Sequence, residues 1–138
     1  MSFYETIDRI TADAGIRVRA ESLEKLLCKS ILATFNEITP IEGVPQREER
    51  LIEAHSELPF LLADLINIAL FLHESDLFVA SSCEVLELSE NYAKVKLMGS
   101  NYDPQQHEPK LVIKAATYHG LRVEREEKLW VAEVIFDI

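Results

Sequence analysis

The last quarter of the chain, Lys114 to Ile138, reads K-A-A-T-Y-H-G-L-R-V-E-R-E-E-K-L-W-V-A-E-V-I-F-D-I. Its reading decides the fold class. Three β-rich runs follow one another: Leu111 to Tyr118, Leu121 to Glu126 and Leu129 to Phe136. Gly120 and the Glu126-Glu127-Lys128 stretch punctuate them. Upstream, Leu77 to Leu88 and Tyr92 to Met98 flank the short turn Ser89-Glu90-Asn91, the pattern of a hairpin. Ala93, Val95 and Leu97 alternate with Tyr92, Lys94, Lys96 and Met98, as on a sheet with one buried face.

Helical signals lie in the first half. Ile16 to Ala20 alternates apolar and basic residues and predicts a strand. Ser22 is an N-cap for the helix after it, where Leu23, Leu26, Leu27, Ser30, Ile31, Thr34 and Phe35 form one stripe. That helix is expected to stop before Pro40. Pro40, Gly43 and Pro45 make Thr39 to Pro45 a loop, and Arg47 to Ala54 is a weaker strand. Ser56 is read as the cap of a second helix running to about His73, apolar almost all round. Such a helix is central to the core or covered by a partner. Strands and helices are thus partly segregated. The expectation is an α+β fold of two layers: a mixed, mainly antiparallel sheet of about five to six strands, with two helices on one face.

With 138 residues, the chain is expected to be a single domain, residues 1–138. Its 24 acidic and 14 basic residues give a net charge of −10. That disfavours direct nucleic-acid binding, which needs a basic footprint, and suits a cation or a basic protein surface. The most apolar stretch, Leu58 to Leu72, holds Pro59, Asp64 and Asn67, so no membrane association is expected. The N-terminus, M-S-F-Y-E-T-I-D, has no basic start and no apolar run. With no secretory signal expected, the reading is cytoplasmic, with Cys28 and Cys83 as reduced thiols.

Candidate chemistry gathers at the two ends. Asp137 precedes Ile138, so the side-chain carboxylate and the α-carboxylate are adjacent. Asp13 lies in the small-residue turn T-A-D-A-G, just ahead of a strand. If the fold brings them together, the result is an all-oxygen site for a hard divalent cation: Ca²⁺, Mg²⁺ or Mn²⁺. Read singly, Asp13 also suits a turn or cap, and chain ends usually fray. The apolar run Trp130 to Phe136 argues against fraying, because a strand burying Trp130, Val134 and Phe136 is tied down to its last residue. His107, Glu108, Lys114, Tyr118 and His119 are the polar content further upstream. They lack the helical spacing of zinc hydrolases, and no nucleophile motif accompanies them.

Four stretches taken in order, T-A-D-A-G-I (Thr11 to Ile16), D-P-Q-Q-H-E-P (Asp103 to Pro109), I-K-A-A-T-Y-H (Ile113 to His119) and W-V-A-E-V-I-F-D-I (Trp130 to Ile138), resemble the archease family over nearly the whole chain. One departure is Ile10, where the family usually has a histidine. The resemblance implies a non-enzymatic, chaperone-like accessory protein of an RtcB-type RNA ligase, the partner in tRNA splicing and other tRNA processing. It implies that Asp13, Asp137 and Ile138 bind a divalent metal, calcium among the options, with no catalytic residue on this chain. Such a cofactor promotes GTP- and Mn²⁺-dependent guanylylation of the ligase and its repeated turnover. His107, Lys114 and His119 are the residues expected to contact the partner. The alternative is a stand-alone divalent-metal-dependent phosphoester hydrolase using the same carboxylates.

Overall fold

The computed structural model describes residues 3–8 and 14–138. Among the described residues two helices and eight strands follow the order β1 (Glu5–Asp8), β2 (Ala14–Ala20), α1 (Leu23–Ile38), β3 (Glu48–Ala54), α2 (Phe60–Asp76), β4 (Phe78–Ser89), β5 (Tyr92–Asn101), β6 (Ala115–Ala116), β7 (Arg122–Glu126) and β8 (Leu129–Asp137). The α+β class is as expected. The strands, however, divide into two sheets, and every pairing among the described residues is antiparallel.

The first sheet centres on β8. Strand β2 covers one edge of β8 along most of its length, with Ala14 opposite Phe136 and Ala20 opposite Trp130. The other edge is shared: β7 pairs with residues 129–133 and β6 with residues 136–137. Strand β1 extends the sheet beyond β2. The second sheet has the order β3-β5-β4, with the expected hairpin turning at Glu90 and Asn91. At its far end Gly99 is obligatory: a Cβ there would stand 1.9 Å from the carbonyl oxygen of Val79.

Both helices pack against both sheets rather than on one face of a single sheet. This accounts for much of the apolarity of α2, whose Leu61, Leu62, Leu65, Ile66 and Ala69 are buried, while Phe60 and Phe71 remain exposed. Helix α1 behaves as its stripe predicts. Ser22 accepts the Lys25 N–H at 3.2 Å, and the helix ends at Ile38, ahead of Pro40. Ser30 and Thr34 sit in the apolar stripe because each hydroxyl donates to the carbonyl four residues back, at 2.7 and 2.9 Å.

Four expectations are corrected. Ser56 does not cap α2. The helix begins after Pro59, its first amides reach the Glu57 and Pro59 carbonyls, and the Ser56 hydroxyl donates to Asp64 Oδ2 at 2.6 Å. The helix also runs one turn past His73, closing on Leu77 in the left-handed region. Of Leu111 to Tyr118, only Ala115 and Ala116 pair as a strand. Finally, Cys28 and Cys83 are not separate thiols but form a disulfide, because packing α1 on β4 brings their Cα atoms to 5.4 Å across a sequence separation of 55.

The carboxylate end of β8

Strand β8 is apolar along its buried face. Val134 and Phe136 are inaccessible to solvent, whereas Trp130 is only half-buried, with the Arg125 guanidinium 5.8 Å from its ring. The strand remains paired to its last residue. Asp137 lies opposite Ala115, and its carbonyl accepts the Lys114 N–H at 2.8 Å. The Asp137 side chain is exposed, and so is Ile138, at 36%. Among the described residues no basic group lies within 4.0 Å of either the Asp137 carboxylate or the terminal one. Their oxygens are hard anionic donors, so the donor chemistry fits Ca²⁺, Mg²⁺ or Mn²⁺.

Asp13 lies outside the described residues, as does Ile10. Its chain neighbour Ala14 pairs with Phe136, the chain neighbour of Asp137. Among the described residues no three His, Cys, Asp or Glu side chains gather into a metal-binding cluster.

The three other residues singled out from sequence are placed differently from one another. Lys114 is adjacent to the site through its backbone bond to Asp137. It also lines a groove of about 430 Å³ with Leu70, His73, Leu77, Tyr102 and Leu111. His119 is exposed in the turn between β6 and β7, its carbonyl accepting from the Thr117 hydroxyl at 3.2 Å. His107 belongs to a self-contained turn built by D-P-Q-Q-H. Its Nδ1 accepts the Asp103 N–H at 2.7 Å, the Asp103 carboxylate accepts the Gln105 N–H at 2.9 Å, and the Tyr102 ring stacks on the imidazole. Because Nδ1 accepts, the proton of the neutral ring sits on Nε2. The ring holds a loop together and is not brought to Asp137 by any hydrogen bond.

Two side chains of α2 that no motif singled out hold the segment next to the end of β8. Asn67 receives the Ala116 N–H on Oδ1 at 2.7 Å and donates Nδ2 to the Ala116 carbonyl at 3.0 Å. One turn earlier, Asp64 accepts the Tyr118 hydroxyl, which raises the phenol above its ordinary 10.0. The Phe60 ring lies 4.8 Å from that of Tyr118. The available signal was the presence of two polar residues, Asp64 and Asn67, within the otherwise apolar run Leu58 to Leu72.

Elsewhere on the first sheet, Arg122 bridges Glu133 at 2.9 Å and Glu124 at 2.7 Å, and Arg17 meets Glu133 from β2 at 2.6 Å. The Arg122 guanidinium foremost, opposed by partial burial and aided by Arg17, holds the Glu133 carboxyl below its ordinary 4.5. Among the described residues no helix is long and apolar enough to cross a membrane.

An α+β fold of two antiparallel sheets with two helices packed against both defines the class. The family model of the Archease protein family matches residues 4–138, and the chain belongs to that family. It is 41% identical to the protein archease of Methanopyrus kandleri, over 93% of this chain and 94% of the relative. It is 30% identical to that of Sulfolobus acidocaldarius over the full length of both. In structure it is similar to the solution structure of Methanobacterium thermoautotrophicum protein 1598, with a TM-score of 0.81 and 29% identity over all of both chains. A crystal structure from Thermotoga maritima, described as an archease and possible chaperone, shares the fold at a TM-score of 0.61 and 23% identity, over 90% of this chain and 89% of that one.

Proposed function

We propose that this protein is an accessory factor of an RtcB-type RNA ligase, carrying a divalent cation on Asp13, Asp137 and the terminal carboxylate of Ile138. Family membership supports the accessory role. The observation that carries the site is the end of β8: Asp137 is held in register by Lys114 and Ala115, and its carboxylate is exposed without a basic partner among the described residues. An ion bound there would supply concentrated positive charge at the tip of a protein whose net charge is −10. A ligase must present a basic channel to RNA. Through that channel an acidic protein engages the nucleotide site when RNA is absent, and the covalent chemistry, guanylylation by GTP with Mn²⁺, belongs to the ligase. Promotion of that step and of repeated turnover in tRNA splicing is the resulting activity. His107, Lys114 and His119 are assigned as partner contacts, and the cytoplasm is the location this reading requires.

The test is a turnover series with an RtcB-type ligase, GTP, Mn²⁺ and a split RNA. The protein is expected to accelerate guanylylation and multiple turnover while ligating nothing and consuming no GTP alone. Hydrolysis of generic phosphoesters by the isolated protein with Mg²⁺ or Mn²⁺, abolished by Asp137→Ala, would replace this reading with the hydrolase.

A further inference from the structure

Strand β6 is two residues long and forms part of the edge of its sheet. So short a strand has little intrinsic stability. Yet it helps set where the last residues of β8 lie: Ala115 is the register partner of Asp137, and Ala116 pairs with Phe136 on the edge opposite Ala14. The flanking amides bond toward β8: Lys114 N–H to the Asp137 carbonyl at 2.8 Å and Thr117 N–H to the Ile135 carbonyl at 2.9 Å. The N–H and C=O of Ala116 point instead to α2, where the single carboxamide of Asn67 satisfies both. Asn67 does with one side chain what a neighbouring strand would do with a peptide unit. Ala116 is only 4% exposed, so without Asn67 its two backbone groups would be unpaired away from water, and β6 would open to recover them.

Asp64, three residues before Asn67, falls on the same face of α2. Through Tyr118 it grips the chain two residues past Ala116. Two consecutive hydrogen-bonding positions on α2 therefore clasp the segment that borders the carboxylate end of β8. Neither side chain bonds Asp137, so both act on it through β6.

We propose that Asn67, assisted by Asp64 and Tyr118, is the positioning residue of the cation site at the end of β8, fixing the Asp137 carboxylate by holding β6 in register. This inference rests on the cation-site reading above. It assigns no ligand to Asn67: the residue sets the pre-organisation of the donors.

The experiment titrates Mn²⁺ into the full chain and reads free ion by electron paramagnetic resonance, with amide exchange of residues 114–117 followed in parallel. Parent protein, Asn67→Leu, Tyr118→Phe and a control, Leu26→Ala, are compared. Leu26 is fully buried on α1, so the control lowers stability without touching the clasp. Asn67→Leu is expected to speed exchange at Ala116 and weaken Mn²⁺ binding about tenfold, the lower end for outer-shell partners of metal ligands. The control is expected to melt earlier yet bind as the parent does. Parent-like affinity in Asn67→Leu despite fast exchange at Ala116 overturns the inference and leaves the cation site standing. Equal weakening in Leu26→Ala overturns it as well, since loss of stability would then explain both. A parent that binds no Mn²⁺ overturns the cation site and the inference together. If Asn67→Leu does not fold, Tyr118→Phe decides, since it removes one exposed hydroxyl: weakened binding supports the clasp, and unchanged binding overturns it.

Discussion

Ala14 stands opposite Phe136 across β2 and β8, and in sequence an aspartate adjoins each: Asp13 precedes Ala14 and Asp137 follows Phe136. If both carboxylates hold one ion, their contributions are not independent. Asp13→Ala and Asp137→Ala are each expected to weaken divalent-cation binding strongly by calorimetry. The double variant should lose little more than either single one, as coupled sites do. Additive losses, or none, would separate the two residues.

The proposed donor at Ile138 is a free α-carboxylate. A tag fused after Ile138 replaces it with a peptide bond and removes one anionic donor. Ligase stimulation is expected to fall with a C-terminal tag and to persist with the same tag at Met1. Equal stimulation by both would leave Asp137 without its terminal companion.

The Cys28–Cys83 bridge closes a long loop between α1 and β4, a sequence separation of 55. In the chain-entropy account a loop of that length contributes about 4 kcal/mol by constraining the unfolded chain. Cys28→Ser is expected to lower the denaturation midpoint by a corresponding amount, and reductant should lower the parent's midpoint toward it. Neither thiol of the native protein should react with a maleimide before reduction.

Phe136 and Trp130 share β8 but not the same environment. Phe136 is inaccessible and Trp130 half-buried against Arg125. Phe136→Ala is therefore expected to cost about 3–5 kcal/mol, and Trp130→Ala distinctly less. Chemical denaturation of the two variants checks the order.

Two ionisations are shifted with opposite signs. The hydrogen bond to Asp64 raises Tyr118, so its stabilising contribution is complete below pH 10.0 and is lost as pH rises through the elevated value. Ultraviolet titration should return one tyrosine toward its ordinary range in Asp64→Asn. Glu133 has the opposite sign. Its carboxyl is depressed by Arg122, so its contribution is present above pH 4.5 and is lost as pH falls through the lowered value. Glu133→Gln should flatten the acid limb of a stability–pH profile.

By itself the sequence determined the elements governed by local chemistry. Helix α1 announces its cap at Ser22, its stripe and its stop before Pro40. The β4–β5 hairpin and β8 are legible from alternation and turn residues, and Asp137 is legible as the end of an apolar strand. The four ordered motifs carried the family. Relationships between distant residues were decided only by the tertiary structure. Two sheets rather than one, the disulfide between Cys28 and Cys83, the imidazole of His107 bonded to Asp103, and the clasp of Asn67 on Ala116 join groups that no period of 2 or 3.6 residues connects. Strand β1 was missed and β6 overextended, because strands of four and two residues exist through their partners rather than their own propensity. A side chain's hydrogen-bonding capacity is written in the sequence, but which backbone groups are left for it to satisfy is settled only when the chain has packed.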